Sequence, residues 1–219
     1  VQTCALPIWL RREIIATKLT NRMINRLGVI HPYELAEEEG ATLAQVAAAF
    51  VAAERLLGLQ AIWQAIETEP MSEGARILLF DRAASVMSDH IADLLRVGGG
   101  TLLPSQLVAE LAPGVTDLSH DTHSLLAGEG RSQSAAMVEA MVAAGAPAAQ
   151  STAVAKLFDM DGAIGLAKLA RENGIGARTL TAAFSDLGAR LGLDWAQQTA
   201  ARMSPSDPWE RLLVNGLAR

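Results

Sequence analysis

Helical periodicity, interrupted repeatedly by glycine or proline, is the feature that most constrains this chain. Between residues 10 and 27 the apolar side chains recur every three or four positions, so that they line one side of a helix. Gly28 follows directly and predicts the end of that helix. Segments of the same kind continue along the chain, and none shows the two-residue alternation of a strand. We therefore predict an all-α fold, either an irregular multi-helix bundle or a short solenoid-like array, with no significant sheet.

The composition supports this class. Apolar residues make up 50% of the 219 residues, whereas aromatic residues make up only 4%, a balance that favours close-packed helices. The net charge of −6 and the single cysteine, Cys4, indicate a cytoplasmic protein without disulfides and without a surface for nucleic acid. No apolar stretch reaches the roughly 20 residues of a bilayer span, so we expect no membrane partner.

Start and stop signals divide the chain into its predicted helices. Thr42 and Ser72 are well placed to cap helices, and residues 29–36, which include Pro32, are predicted to be a connection. The pair Pro113 and Gly114 is predicted to break the chain. The predicted helices span residues 10–27, 43–56, 59–67, 72–95, 105–111, 115–126, 132–144, 148–158, 163–173, 179–191, 194–203 and 208–217.

Gly128 and Gly130 suggest a flexible joint, with Glu129 and Arg131 in solvent. A boundary near 128–131 separates residues 9–128, with long helices, from residues 129–219, with shorter ones, unless the two form one continuous domain.

Residues 1–8 share no periodicity with the helix that follows them. Their sequence, VQTCALPI, reads as the in-frame translation of a sequencing adapter, so we interpret them as a non-native segment outside the fold. The alternative is an ordinary extended lead-in made rigid by Pro7.

Several short patterns resemble ligand motifs but lack essential parts. His120 and His123, three residues apart beside Asp117 and Asp121, have no third metal ligand in sequence, so we interpret them as an exposed polar face. His90, between two aspartates, is interpreted as belonging to a similar solvated face.

Three glycine-containing segments resemble nucleotide or calcium motifs but are incomplete. The glycines at 98–100 lack the Lys-Ser/Thr pair of a phosphate loop, and those at 174 and 176 lack the third glycine of a dinucleotide fold. Residues 159–162 lack the final carboxylate of a calcium loop and are predicted to form a helix cap. We predict no catalytic, cofactor-binding or metal-binding residue in this chain.

The best candidate for a functional surface lies on the first helix. Arg11, Lys18, Arg22 and Arg26 fall on one stripe, which we place opposite the apolar one. A stripe of cations can dock on acidic groups, and we interpret it as a candidate interdomain contact. The alternative is an ordinary solvated face.

Two ends of the sequence carry a resemblance to a known family. Residues 10–17 (LRREIIAT) resemble a segment of the large NAD-specific glutamate dehydrogenases of bacteria, and the similarity continues at Leu19, Asn21, Asn25 and Arg26. Residues 38–41 (EEGA), 63–67 (WQAIE), 190–195 (RLGLDW) and 209–212 (WERL) continue the resemblance. It covers about residues 9–219 and is weakest over 97–150.

The resemblance implies a C-terminal fragment of an oxidoreductase that converts L-glutamate, NAD and water to 2-oxoglutarate, ammonium and NADH. In that family the glutamate and NAD sites lie upstream, so no catalytic residue maps onto this chain and the fragment alone is expected to be inactive. It also implies a homo-oligomer. We expect this long helical region, with its broad apolar face, to brace the catalytic domain or subunit contacts. The alternative is a freestanding helical adaptor that binds a partner helix.

Overall fold

The structure is a computed structural model that describes residues 7–98, 103–126 and 128–193, together with residues 196, 199, 203, 204, 206, 207, 209 and 210. The three continuous ranges contain ten helices and no strand, which confirms the predicted all-α class. The helices are α1 (Ile8–Leu27), α2 (His31–Glu38), α3 (Leu43–Leu56), α4 (Leu59–Thr68), α5 (Glu73–Gly98), α6 (Pro104–Leu125), α7 (Gly128–Ala143), α8 (Ala148–Asp159), α9 (Ala163–Asn173) and α10 (Ala177–Leu191).

The predicted caps of the first half are confirmed. Gln45 of α3 forms a capping box with Thr42, whose side chain accepts a hydrogen bond from the Gln45 backbone. Ser72 Oγ accepts from the Ala75 backbone N–H at 3.1 Å and so starts α5. Gly28 ends α1 with a positive φ of 82°, a backbone conformation that glycine adopts without steric cost. Capping side chains therefore set two of these boundaries, and the backbone freedom of glycine sets the third.

The segment predicted as a connection is instead helical. Residues 31–38 form α2, and the prediction of a connection over 29–36 was wrong. Pro32 lies in the first turn, where a missing N–H removes no helical hydrogen bond. Pro32 therefore does not prevent helix formation here. Pro32 and Leu35 are both buried, so packing against the neighbouring helices stabilises α2.

The predicted break at Pro113 was also wrong. Helix α6 continues through Pro113 and Gly114 for 22 residues, although an internal proline costs one backbone hydrogen bond and about 3 kcal/mol. Leu111 and Val115, on either side, are both buried in the core. Their burial helps to offset the cost of the internal proline.

The later helices agree more closely with the sequence. Helices α8 and α9 coincide with their predicted ranges to within one residue, and α10 begins two residues earlier than predicted. Helix α7 begins at Gly128, inside the predicted joint, where Glu129 and Arg131 are exposed as expected. The helices predicted over 194–203 and 208–217 lie outside the continuously described residues. So does the suggested adapter segment, except for Pro7 and Ile8, and Ile8 is the first residue of α1.

Helix α5 runs through the middle of the core and packs against α3, α4, α8 and α9. Trp63 and Phe80 lie within the same core region, with ring centroids 5.3 Å apart. The buried apolar side chains form one cluster that extends from Met23 to Ala177. The division into regions 9–128 and 129–219 stays a prediction.

Among the residues that the structure describes, no single helix is both long and apolar enough to cross a bilayer. The consecutive helices α3 and α4 together have the length and apolar composition of a membrane span, but they are separated by a bend of 78°.

Candidate interaction surface

The cationic stripe predicted on α1 divides into two parts in the structure. Arg11 and Lys18 occupy exposed positions on the N-terminal half of the helix. Arg22 and Arg26, further along, contact α3, α4 and α5 of the same chain. The structure therefore places the stripe beside the core-facing side of α1, rather than opposite it.

Arg22 connects α1 to α3. Its Nη2 lies 2.8 Å from Glu54 Oε2, and its guanidinium lies over the Phe50 ring at 5.7 Å from the centroid. Burial raises the pKa of Glu54, while the nearby Arg22 and Arg26 act in the opposite direction. The ion pair therefore contributes less than its short distance suggests, because the carboxylate has lost part of its hydration.

Arg26 is the most enclosed cation of the stripe, with its side chain only 17% exposed. Its guanidinium lies 4.8 Å from the Trp63 ring centroid and 5.9 Å from that of Phe80, and it pairs with Glu67 at 2.7 Å. This arrangement combines cation–π attraction with packing of the apolar stem. Arg26 thereby attaches the C-terminal half of α1 to α4 and α5.

Two adjoining clefts flank Arg22. The first, of about 340 Å³, lies between α1 and α4 and is lined by Lys18, Asn21, Arg22, Asn25, Arg26 and Glu67. The second, of about 560 Å³, lies where α3 meets α4. Its polar lining comes from Arg22, Glu54, Arg55, Gln60 and Gln64.

The N-terminal half of α1, residues 8–18, forms an overhang. Leu19 and Met23 belong to the core region, whereas Ile8 and Ile15 are 73% and 65% exposed. Ile8 and Ile15 are two turns apart and therefore share a face with Leu19. Roughly 15 Å of α1 thus extends beyond the described core, and along this length the same apolar side of the helix is exposed.

The histidine pair at 120 and 123 does not form part of a metal-ligand group. His120 is exposed, and His123 Nδ1 lies 3.7 Å from Asp159 Oδ2 on α8. Across the described residues, no three His, Cys, Asp or Glu side chains come together as metal ligands would.

Asp159 belongs to a small polar cluster between helices. Ser134 of α7 donates a hydrogen bond to Asp159 Oδ2 at 3.0 Å. Burial raises the pKa of Asp159, and the contacts with Ser134 and His123 oppose that rise. The helix cap predicted for residues 159–162 is also present, since Asp159 ends α8 and Gly162 precedes α9 in a left-handed conformation.

His90 is fully buried, which corrects the prediction of a solvated face. Its Nε2 lies 3.3 Å from the Leu157 carbonyl oxygen of α8, and its neighbours Ile91 and Leu94 are also buried. Flanking aspartates suggested an exposed position, but α5 is central and only part of its surface faces solvent. The sequence could not show which part that is.

Sequence analysis did not find a hydrogen-bonded chain between α2 and α5. His31 Nε2 lies 2.8 Å from Ser88 Oγ, and His31 Nδ1 lies 3.0 Å from Glu34 Oε2. The order Ser88, His31, Glu34 resembles that of a nucleophile, a base and an acid in a catalytic triad. However, Ser88 is 8% exposed, and its hydroxyl donates to the Ala84 carbonyl at 3.0 Å. The chain therefore joins two helices and offers no accessible nucleophile.

These features define an all-helical domain whose first helix extends past the core and carries both apolar and cationic side chains. The chain belongs to the glutamate dehydrogenase C-terminal family, because the family described as "Glutamate dehydrogenase, C-terminal" matches residues 9–219. This match confirms the resemblance found in the sequence.

Relatives with established names support the same assignment. The chain is 28% identical over 208 residues to an NAD-specific glutamate dehydrogenase of Halomonas elongata, covering 92% of this chain and 12% of that protein. It is 24% identical over 205 residues to one of Pseudomonas aeruginosa, covering 93% and 13%. A relative from Mycobacterium tuberculosis is 27% identical over 115 residues, covering 49% and 7%. These relatives are oxidoreductases, and the chain spans only a small part of each.

Proposed function

We propose that this chain is the non-catalytic C-terminal helical region of a cytoplasmic NAD-dependent glutamate dehydrogenase. The reaction, from L-glutamate, NAD and water to 2-oxoglutarate, ammonium and NADH, takes place in an upstream domain that also binds NAD. The supporting observation is that similarity extends over 92% of this chain but only 12% of the Halomonas relative. The remaining length of such a protein is ample for the catalytic domain.

The proposed role of the region is to brace the catalytic part of the same polypeptide, within a homo-oligomer. The overhang of α1 is the proposed contact, because the upstream chain enters the region at this helix. Ile15 supplies exposed apolar area, which is typical of a surface covered by other protein. Arg11 and Lys18 lie along the same half of the helix and provide positive charge at its edge.

Arg22 and Arg26 have a different part in this proposal. Their side chains are paired with Glu54 and Glu67, so they hold the C-terminal half of α1 against the core. A firmly held half gives the overhang a fixed direction, which lowers the entropic cost of docking.

The contact is tested by the substitution Ile15→Glu in the full-length enzyme. Ile77→Glu on α5 is the matched control, because Ile77 is also largely exposed, at 61%. A buried carboxylate at the docking surface is expected to weaken the contact, so I15E lowers the thermal stability and the glutamate dehydrogenase activity of the full-length enzyme.

The same two substitutions in the 219-residue chain separate docking from folding. Neither is expected to change its unfolding free energy by more than about 0.5 kcal/mol, because both side chains are exposed there. If I15E and I77E enzymes behave alike at full length, the overhang is not the contact.

A further inference from the structure

We propose that the two adjoining clefts around Arg22 bind a small multivalent anion, carrying phosphate or carboxylate groups. The clefts have volumes of about 340 and 560 Å³, which lie in the range of small-ligand sites. Arg22 lines both clefts, so its guanidinium can contact an anion bound in either of them. This inference does not rest on the proposed function.

The balance of charge in the clefts is positive. Lys18 and Arg55 are exposed at their two ends, and neither forms an ion pair with a described carboxylate. The carboxylates of Glu54 and Glu67 are already paired with Arg22 and Arg26. Among the described residues, two cations therefore remain without a paired carboxylate, in a chain whose net charge is −6. A local excess of this kind attracts anions.

The two central cations are held in fixed positions. Arg22 lies over Phe50 and Arg26 over Trp63, and each also pairs with a carboxylate. A guanidinium has five N–H donors in a planar fork. One ion pair leaves donors of each guanidinium available to anionic oxygens, and their fixed orientation reduces the entropy lost on binding.

Neutral donors complete the lining. Asn21 and Asn25 follow each other by one turn of α1 in the smaller cleft, and Gln60 and Gln64 by one turn of α4 in the larger. Their side-chain amides can donate to oxygens of a bound anion, and they do so without adding a charge that must be desolvated. The combination of fixed guanidinium groups, exposed cations and amides fits phosphate or carboxylate groups better than it fits an apolar ligand.

Calorimetric titration of the 219-residue chain at low ionic strength tests the proposal. The probes are inorganic tripolyphosphate and tricarballylate, which present multivalent phosphate and carboxylate groups respectively. Binding of either supports the site, and the stronger probe identifies the preferred group. Because each charge-assisted hydrogen bond is worth about a factor of ten in affinity, Lys18→Gln and Arg55→Gln are each expected to weaken binding about tenfold.

Lys156→Gln is the matched control, since it removes an exposed lysine from α8, outside the clefts. It is expected to leave the affinity unchanged. The proposal is overturned if neither probe binds, or if K18Q and R55Q bind as tightly as K156Q, because binding is then a property of the whole surface. This result is independent of the docking test, which concerns Ile15 and the full-length enzyme.

Discussion

Gly114 of α6 lies so close to Ala167 of α9 that a Cβ added to the glycine would stand 2.9 Å from the Ala167 Cβ. Real side chains essentially never approach so closely, so a methyl group here must push the two helices apart. We predict that Gly114→Ala lowers the unfolding free energy by about 1–3 kcal/mol.

The control for this prediction is Gly165→Ala in α9. A Cβ at Gly165 meets no atom within 4 Å, and alanine is a better helix former, so G165A is expected to stabilise by up to about 1 kcal/mol. Urea unfolding of both variants measures the difference. Equal effects of G114A and G165A would show that the close approach is not essential.

Arg26 is predicted to stabilise the fold mainly by stacking and packing. Arg26→Ala removes its contacts with Trp63 and Phe80 and is expected to cost about 1–2 kcal/mol. Glu67→Gln removes only the ion pair, whose carboxylate is 56% exposed, and is expected to cost well under about 1 kcal/mol. Equilibrium unfolding compares the two. A loss in E67Q as large as that in R26A would assign the stabilisation to the ion pair instead.

His31 is predicted to join α2 to α5. His31→Ala removes the 2.8 Å contact between α2 and Ser88 Oγ, and it is expected to lower stability by about 1 kcal/mol. His120→Ala, at an exposed position on α6, is the control and is expected to have little effect. Thermal unfolding followed by circular dichroism measures both variants, and the bridge is unimportant if their midpoints coincide.

Asp159 is predicted to make stability depend on pH. Because burial raises the pKa of Asp159 above its ordinary value of 3.8, the folded chain holds this proton more tightly than the unfolded chain. Its contribution to stability is therefore fully present below that ordinary value and is lost as pH rises through the folded pKa. Asp159→Asn keeps an acceptor for Ser134 but cannot ionise, so it should gain stability relative to the parent chain as pH rises.

Unfolding free energies of D159N and the parent chain from about pH 3 to about pH 7 measure this change. Asp186→Asn, which replaces an exposed carboxylate on α10, serves as the control. A difference between D159N and the parent chain that stays constant over this range would contradict the prediction.

The sequence predicted well where local chemistry decides the structure. The α1 stripe with Gly28 and the α9 range ending before Gly174 are determined by periodicity and by residues that tolerate positive φ. Pro113 was misinterpreted because its cost is local, whereas the packing of Leu111 and Val115 that offsets it involves distant parts of the chain. At Pro113, tertiary packing therefore outweighs the local preference for a helix break.

The candidate surface shows the same limit. The spacing of Arg11, Lys18, Arg22 and Arg26 placed them on one stripe correctly. However, periodicity cannot show that Arg22 meets Glu54 or that Arg26 lies on Trp63, because these partners come from other helices. The bridge between His31 and Ser88 joins residues 57 positions apart, and no local pattern marks such a pair.

Long-read sequencing of the source locus, across the codons for residues 1–10, decides whether this chain is the C-terminal region of a longer dehydrogenase. We expect an open reading frame that continues upstream, through different codons in place of residues 1–8, into a dinucleotide-binding dehydrogenase domain. A start codon immediately before Leu10, with no such domain in frame, would contradict this expectation and would indicate a freestanding helical adaptor.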